Sequence, residues 1–154
     1  SDLAGHYFDS GALVKLYHLE TGTAEVDEIV TAPANVIRIS RLTVAELTSA
    51  FAGKVRTGAI TEGDAQAFLL QFRTDIADGK FEVYSVGDSV FAAADRLISR
   101  HGFALRLRTL DALQLAVALE LASRGLLDYF VAADRVICEV ARSEGLAVIN
   151  PEGR

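Results

Sequence analysis

His6–Tyr7–Phe8–Asp9–Ser10–Gly11–Ala12–Leu13–Val14–Lys15–Leu16–Tyr17 reads as a strand that runs straight into a helix. The apolar-aromatic run stops at Asp9, Ser10–Gly11 turns the chain, and Leu13, Leu16 and Tyr17 share one face of a helix predicted over 12–19. The same alternation continues outward. A short helix over 22–30 is stopped before Pro33, because the residue preceding a proline is pushed out of the α region. Alternating β-branched residues over 36–40 predict a strand, and residues 43–56 a helix closed by Gly58. Further helices are predicted over 61–78, 88–100, 111–124 and 134–144, and strands over 81–86, 129–133 and 146–149. Strands alternating with helices predict an α/β fold with a mostly parallel sheet covered on both faces.

The 154 residues are 51% apolar and carry a net charge of −6, which suits one domain over 1–154 with roughly 70% of its extended surface buried. The apolar content excludes disorder, and the single Cys138 excludes a disulfide scaffold. No apolar run reaches the ~20 residues of a membrane span, and no leader-like segment opens the chain, so the protein is expected in the cytoplasm without a membrane partner. Ser1 in place of a start Met reads as processing or as a residue left from cloning.

An acidic balance ordinarily argues against a nucleic-acid partner. Its distribution here is uneven. No carboxylate lies between Arg96 and Leu110, a stretch holding Arg96, Arg100, His101, Arg106 and Arg108, nor between Ile29 and Ala45, which hold Arg38 and Arg41 between them. Twelve of the 15 basic residues are Arg, the side chain suited to forked phosphate contacts. Ordinary solvated helix faces account for the same pattern.

Ligands of open parallel sheets bind beyond the carboxyl ends of the strands. Four carboxylates fall at such positions: Asp9 after the first strand, Glu46 in the first turn of the helix after the second, Asp111 opening the apolar helix, and Asp134 after the fourth strand. Each also fits a capping role, and Thr43–Val44–Ala45–Glu46 has the form of a capping box. Two of them, however, lead into apolar surroundings: Asp111 opens Asp111–Ala112–Leu113–Gln114–Leu115–Ala116–Val117–Ala118–Leu119, and Glu46 stands between Ala45 and Leu47. A desolvated carboxylate needs a cation. Lys15, Lys54 and Lys80 are the only lysines and none is placed to serve, so a hard divalent ion, Mg²⁺ or Mn²⁺, is the expected neutraliser.

These segments carry a family resemblance. The opening stretch, then Leu42–Thr43–Val44–Ala45–Glu46–Leu47, Leu110–Asp111–Ala112–Leu113–Gln114–Leu115–Ala116, Tyr129–Phe130–Val131–Ala132–Ala133–Asp134 and Gly145–Leu146–Ala147–Val148–Ile149, in register over nearly the whole chain, resemble a PIN domain, and most of all the VapC-type toxin ribonucleases of bacterial toxin–antitoxin pairs. The resemblance implies a three-layer α/β/α fold with a five-stranded sheet, a metal-dependent endoribonuclease, RNA as substrate, a cognate antitoxin and a homodimer. Asp9, Glu46, Asp111 and Asp134 match the family's acidic positions as catalytic residues and metal ligands. Gly11 and Ala132 stand where the family often has Ser or Thr, so Ser10 is the hydroxyl left to contact substrate, with Arg106 and Arg108 holding the RNA backbone. The alternative is a PIN-like scaffold that binds RNA or protein without cutting. A response-receiver domain would want a Lys at the end of the last strand, and an Asp-x-Asp phosphatase fails at Gly11. Phe51, Phe68, Leu69 and Phe72 exceed what one helix face needs and are expected to include a dimer or antitoxin surface, plain core being the other reading; Cys138 reads as a small core hydrophobe.

Overall fold

Asp9 and Asp134 follow neighbouring strands of one sheet in the computed structural model, which describes residues 3–153; the reading of Ser1 falls outside those residues. The strands are β1 (Ala4–Phe8), β2 (Asn35–Ser40), β3 (Phe81–Tyr84), β4 (Tyr129–Val131) and β5 (Val148–Ile149). The helices are α1 (Ser10–Leu13), α2 (Thr23–Thr31), α3 (Arg41–Arg56), α4 (Glu62–Ala77), α5 (Asp88–His101), α6 (Thr109–Ser123) and α7 (Arg135–Ser143). All the pairings are parallel, in the order β3-β2-β1-β4-β5. The chain winds outward from β1 through β2 to β3, then returns to the other side of β1 for β4 and β5. The strand order therefore reverses between β1 and β4, and the crevice beyond their carboxyl ends is where this topology places a ligand.

Side chains alternate across the sheet, and so do its two cores. Tyr7 and Phe130 face one core with α5, α6 and α7, while Phe8, Ile37, Ile39 and Val131 face the other with α1 to α4. The three-layer α/β/α expectation holds. The helix predicted over 12–19 is shorter: α1 ends at Leu13 and one 3₁₀ turn (Val14–Leu16) follows, within which Lys15 is buried against Glu20 and Glu152. The Pro33 signal holds, since α2 ends at Thr31 and Ala32 is extended. Gly79 takes the left-handed conformation just beyond α4, where a glycine ends a helix at no steric cost.

Phe51, Leu69 and Phe72 do not form an interaction surface. They are core, with Phe51 and Phe72 essentially without exposure, because α3 and α4 pack on each other and on the sheet. Phe68 is half-buried, tilted on Phe51 and stacked on His18, and the exposed apolar residue beside it is Leu70. Cys138 is buried as expected, its thiol donating to the Ala132 carbonyl.

β1 is tied at its start to the loop before β4. Gly5 N donates to Asp128 Oδ2 at 2.8 Å, and Asp128 N donates back to the Gly5 carbonyl at 2.8 Å. A Cβ on Gly5 would stand 2.1 Å from the Leu126 carbonyl oxygen, so backbone would have to shift. Gly5→Ala is expected to cost about 1–3 kcal/mol, read as a lower denaturant midpoint at unchanged slope.

Candidate active site

The four carboxylates arrive by different routes. Asp9 is the residue between β1 and α1, and its N–H donates to Val131 O at 2.9 Å, locking the ends of β1 and β4 together. Its carbonyl accepts from Ala12 and Leu13, and its side chain makes no capping hydrogen bond. Glu46 lies in the second turn of α3 rather than in its first. The capping box predicted for it belongs to Ser40 and Thr43, because the helix begins two residues earlier than the pattern suggested; Ser40 N donates to Thr43 Oγ1. Asp111 sits in the first turn of α6, half-buried, rather than opening the helix. Asp134 does cap α7: its Oδ1 accepts from Ile137 N at 3.0 Å, and the side chain is otherwise exposed.

Electrostatics link them. Burial pushes the Asp9 carboxyl up to about 7, and the charges of Glu46 and Asp111 push in the same direction against the amides of Ser10 and Gly11. Burial also raises Asp111, with Asp134 and Glu46 adding to it and the Arg108 amide and charge opposing. Glu46 Oε1 accepts two hydrogen bonds, from Ser10 Oγ at 2.9 Å and from Gln114 Nε2 at 2.6 Å. None of the lysines reaches the group: Lys15 and Lys54 pair with Glu20, Lys15 also with Glu152, and Lys80 with Asp75.

Among the described residues, no three His, Cys, Asp or Glu side chains are disposed to hold a metal ion as they stand. The donor chemistry nonetheless fits a hard divalent cation: oxygen donors only, one of them deeply desolvated, mutually repelling and without a lysine counter-charge. Mutual repulsion of this kind is what a bound cation would remove.

Arg106, Arg108, Asp111, Asp134 and Val136 line one shallow cavity of about 200 Å³. Three basic residues of the wider stretches are paired in space. Arg100 and His101 both engage Glu144 at 2.7 Å, and Arg38 engages Glu82 and Tyr84. Carboxylates absent from a stretch of sequence come to it from other elements of the fold.

The PIN domain family model matches residues 6–143. The chain belongs to the PIN domain family. Solved structures with the PIN fold of this chain include VapC20 of Mycobacterium tuberculosis, described as a sarcin–ricin-loop-cleaving toxin, at 16% identity and TM-score 0.66, covering 95% of this chain and 99% of that one. VapBC2 of Rickettsia felis, bound to a fragment of promoter DNA, matches at 15% identity and TM-score 0.63, covering 95% and 98%. FitAcB of Neisseria gonorrhoeae matches at 18% identity and TM-score 0.64, covering 95% and 97%. No curated protein matches the sequence.

Two residues of this PIN domain escaped the sequence reading. Gln114 is buried without exposure yet binds Glu46 directly. Its signal was available, as the one polar side chain in the apolar run 112–119. Phe103 is 97% exposed on the loop leading to Arg106 and Arg108, a position that no periodicity marks. At Gly11, a Cβ would sit 3.6 Å from Asp9 Oδ2, an ordinary contact, so space rather than a hydroxyl occupies that side of Asp9.

Proposed function

We propose that this PIN domain is a metal-dependent endoribonuclease, the toxin of a toxin–antitoxin pair, acting on RNA phosphodiester bonds. The observation that carries the reading is Asp9: a carboxylate at the strand-order reversal, raised first by its burial and then by the charges of Glu46 and Asp111, with no lysine to neutralise it. Asp9, Glu46, Asp111 and Asp134 would hold Mg²⁺ or Mn²⁺. Such an ion supplies a water of lowered pKa and charge stabilisation on the phosphate.

The chain's own residues do the rest. Ser10 keeps its hydroxyl on Glu46, which makes it a positioning group as well as a substrate contact. Arg106 and Arg108, which line one cavity with Asp111 and Asp134, hold the phosphates beside the bond to be cut. The exposed Phe103 ring offers a stacking surface for an unpaired base, which favours single-stranded or looped RNA. We take residues 1–154 as a single domain acting in the cytoplasm, with a cognate antitoxin and a second copy of the chain as protein partners. The VapBC2 and FitAcB neighbours support the antitoxin. No helix among the described residues is long and apolar enough to cross a membrane.

The rival reading, a PIN-like scaffold that binds RNA or protein without cutting, is favoured by the open arrangement of the acids and by the capping bond of Asp134. Incubation with mixed RNA and Mg²⁺ or Mn²⁺, with and without chelator, decides between them. Cleavage that the chelator abolishes is expected. RNA retention without cleavage supports the scaffold, and cleavage indifferent to the chelator overturns the metal-dependent reading.

A further inference from the structure

We propose that Gln114 is a positioning residue that fixes Glu46 within the carboxylate group and leaves Oε2 as the Glu46 oxygen available to a divalent ion; the ion itself rests on the nuclease reading above. Gln114 lies on α6 one turn beyond Asp111, in a run otherwise composed of Ala, Leu and Val. An apolar residue of similar volume would serve packing there. A buried carboxamide is costly unless every one of its groups is bonded, and here every one is. Its Oε1 accepts from the Tyr7 hydroxyl in a short contact and from Ser40 Oγ at 3.3 Å. Its Nε2 faces Glu46 Oε1 at 2.6 Å, Ser10 Oγ at 3.1 Å and Thr43 Oγ1 at 3.1 Å.

Two N–H groups thus meet three acceptors, and the shortest contact goes to the charged one, as a charge-assisted bond should. The amide can face only one way. A carboxylate accepts and cannot donate, so the NH₂ end must point at Glu46, which leaves the oxygen end to the hydroxyls of Tyr7 and Ser40. Ser10 donates to the same Glu46 oxygen, so Oε1 carries two donors from two elements, α1 and α6. The side chain of Glu46 is thereby held at one oxygen, and the helix that carries Asp111 sets its orientation. Outer-layer partners of this kind commonly change metal affinity 10- to 100-fold when removed.

The test compares Gln114→Leu with Tyr7→Phe in the full chain, titrating each with Mn²⁺ alone by calorimetry. Both lose a buried hydrogen bond and with it some stability. Only Gln114→Leu removes the donor to Glu46, so it is expected to weaken Mn²⁺ binding by about 10–100-fold, while Tyr7→Phe stays within about twofold of wild type. Equal affinities in Gln114→Leu and wild type overturn the proposal while leaving the nuclease reading intact. A wild-type chain that binds no Mn²⁺ overturns the nuclease reading, and the Oε2 assignment with it. If Gln114→Leu does not fold, the wild-type protein still decides. The chain has three glutamines, Gln66, Gln71 and Gln114, so their side-chain amides are separable by NMR. The Gln114 amide is expected to exchange slowly and to shift on adding Mg²⁺ while the other two hold still; a bound Mg²⁺ that leaves it unmoved overturns the positioning role.

Discussion

Cleavage of RNA by an Asp9→Asn variant is expected to fall by roughly 10³-fold under saturating Mg²⁺ or Mn²⁺, with RNA affinity changed by less than about threefold. Each tenfold corresponds to about 1.4 kcal/mol, so this attributes on the order of 4 kcal/mol of transition-state stabilisation to one charge. Asn has nearly the shape of Asp. The backbone bonds that seat residue 9, its N–H to Val131 and its carbonyl to Ala12 and Leu13, do not involve the side chain and survive the change. What the substitution removes is the charge that burial, Glu46 and Asp111 all oppose in the metal-free protein. Asp134→Asn provides the contrast. Asp134 is exposed and already bonded to Ile137 N, a bond that the Asn oxygen can reproduce, so its loss is expected to be nearer tenfold. Single-turnover kinetics on one defined RNA measures both. Equal effects at the two positions would show that the burial of Asp9 is irrelevant to its chemistry, and an unimpaired Asp9→Asn would end the nuclease reading.

The layout of the fold was legible because its signals are local and agree with one another: period-2 and period-3.6 patterns, Pro33, and a glycine just past each long helix. The order β3-β2-β1-β4-β5 follows from no local signal, yet it sets the strand ends that precede Asp9 and Asp134 side by side, and Asp9 feels the charges of Glu46 and Asp111. Misreadings came from tertiary partners that the sequence does not name. The Ser40–Thr43 pair started α3 earlier than Thr43 alone suggested, and Glu144 and Glu82 neutralised basic residues that looked unopposed. Phe51, Leu69 and Phe72 looked like surplus apolar surface only while α3 and α4 were read one at a time; packed on each other, the two helices need all three. Gln114 was the reverse case, a polar residue hidden by the apolarity of its neighbours.

In metal-free buffer the protein is expected to lose stability as the pH rises from about 4 to 7, and Asp9→Asn is expected to abolish most of that loss. An Asp held up to about 7 in the folded chain but near 3.8 when unfolded binds a proton in the folded state across that window while the unfolded state does not. Stability then decreases with pH, and above about 7 the penalty is complete, of order 2–4 kcal/mol. Asp111, raised by burial and by Asp134, contributes with the same sign. Glu20 and Glu144 act oppositely. Burial works against their ionisation, but Lys15 and Lys54 for Glu20, and His101 and Arg100 for Glu144, hold both below the ordinary carboxylate range, so their contribution is lost only as the pH falls through that lower range. The difference between wild type and Asp9→Asn isolates the one group from the others. Mn²⁺ should invert the comparison. An ion binding only the folded, ionised cluster stabilises by about 2.7 kcal/mol at a hundred times its Kd, and protons compete with it at low pH. Wild type should therefore melt below Asp9→Asn at pH 8 without metal and at or above it with saturating Mn²⁺, as thermal unfolding of the two proteins at pH 5 and pH 8 would record. If Asp9→Asn melts lower than wild type in metal-free buffer at pH 8, the carboxylate has a favourable partner in the folded chain, and the repulsion from which a bound cation was inferred does not exist.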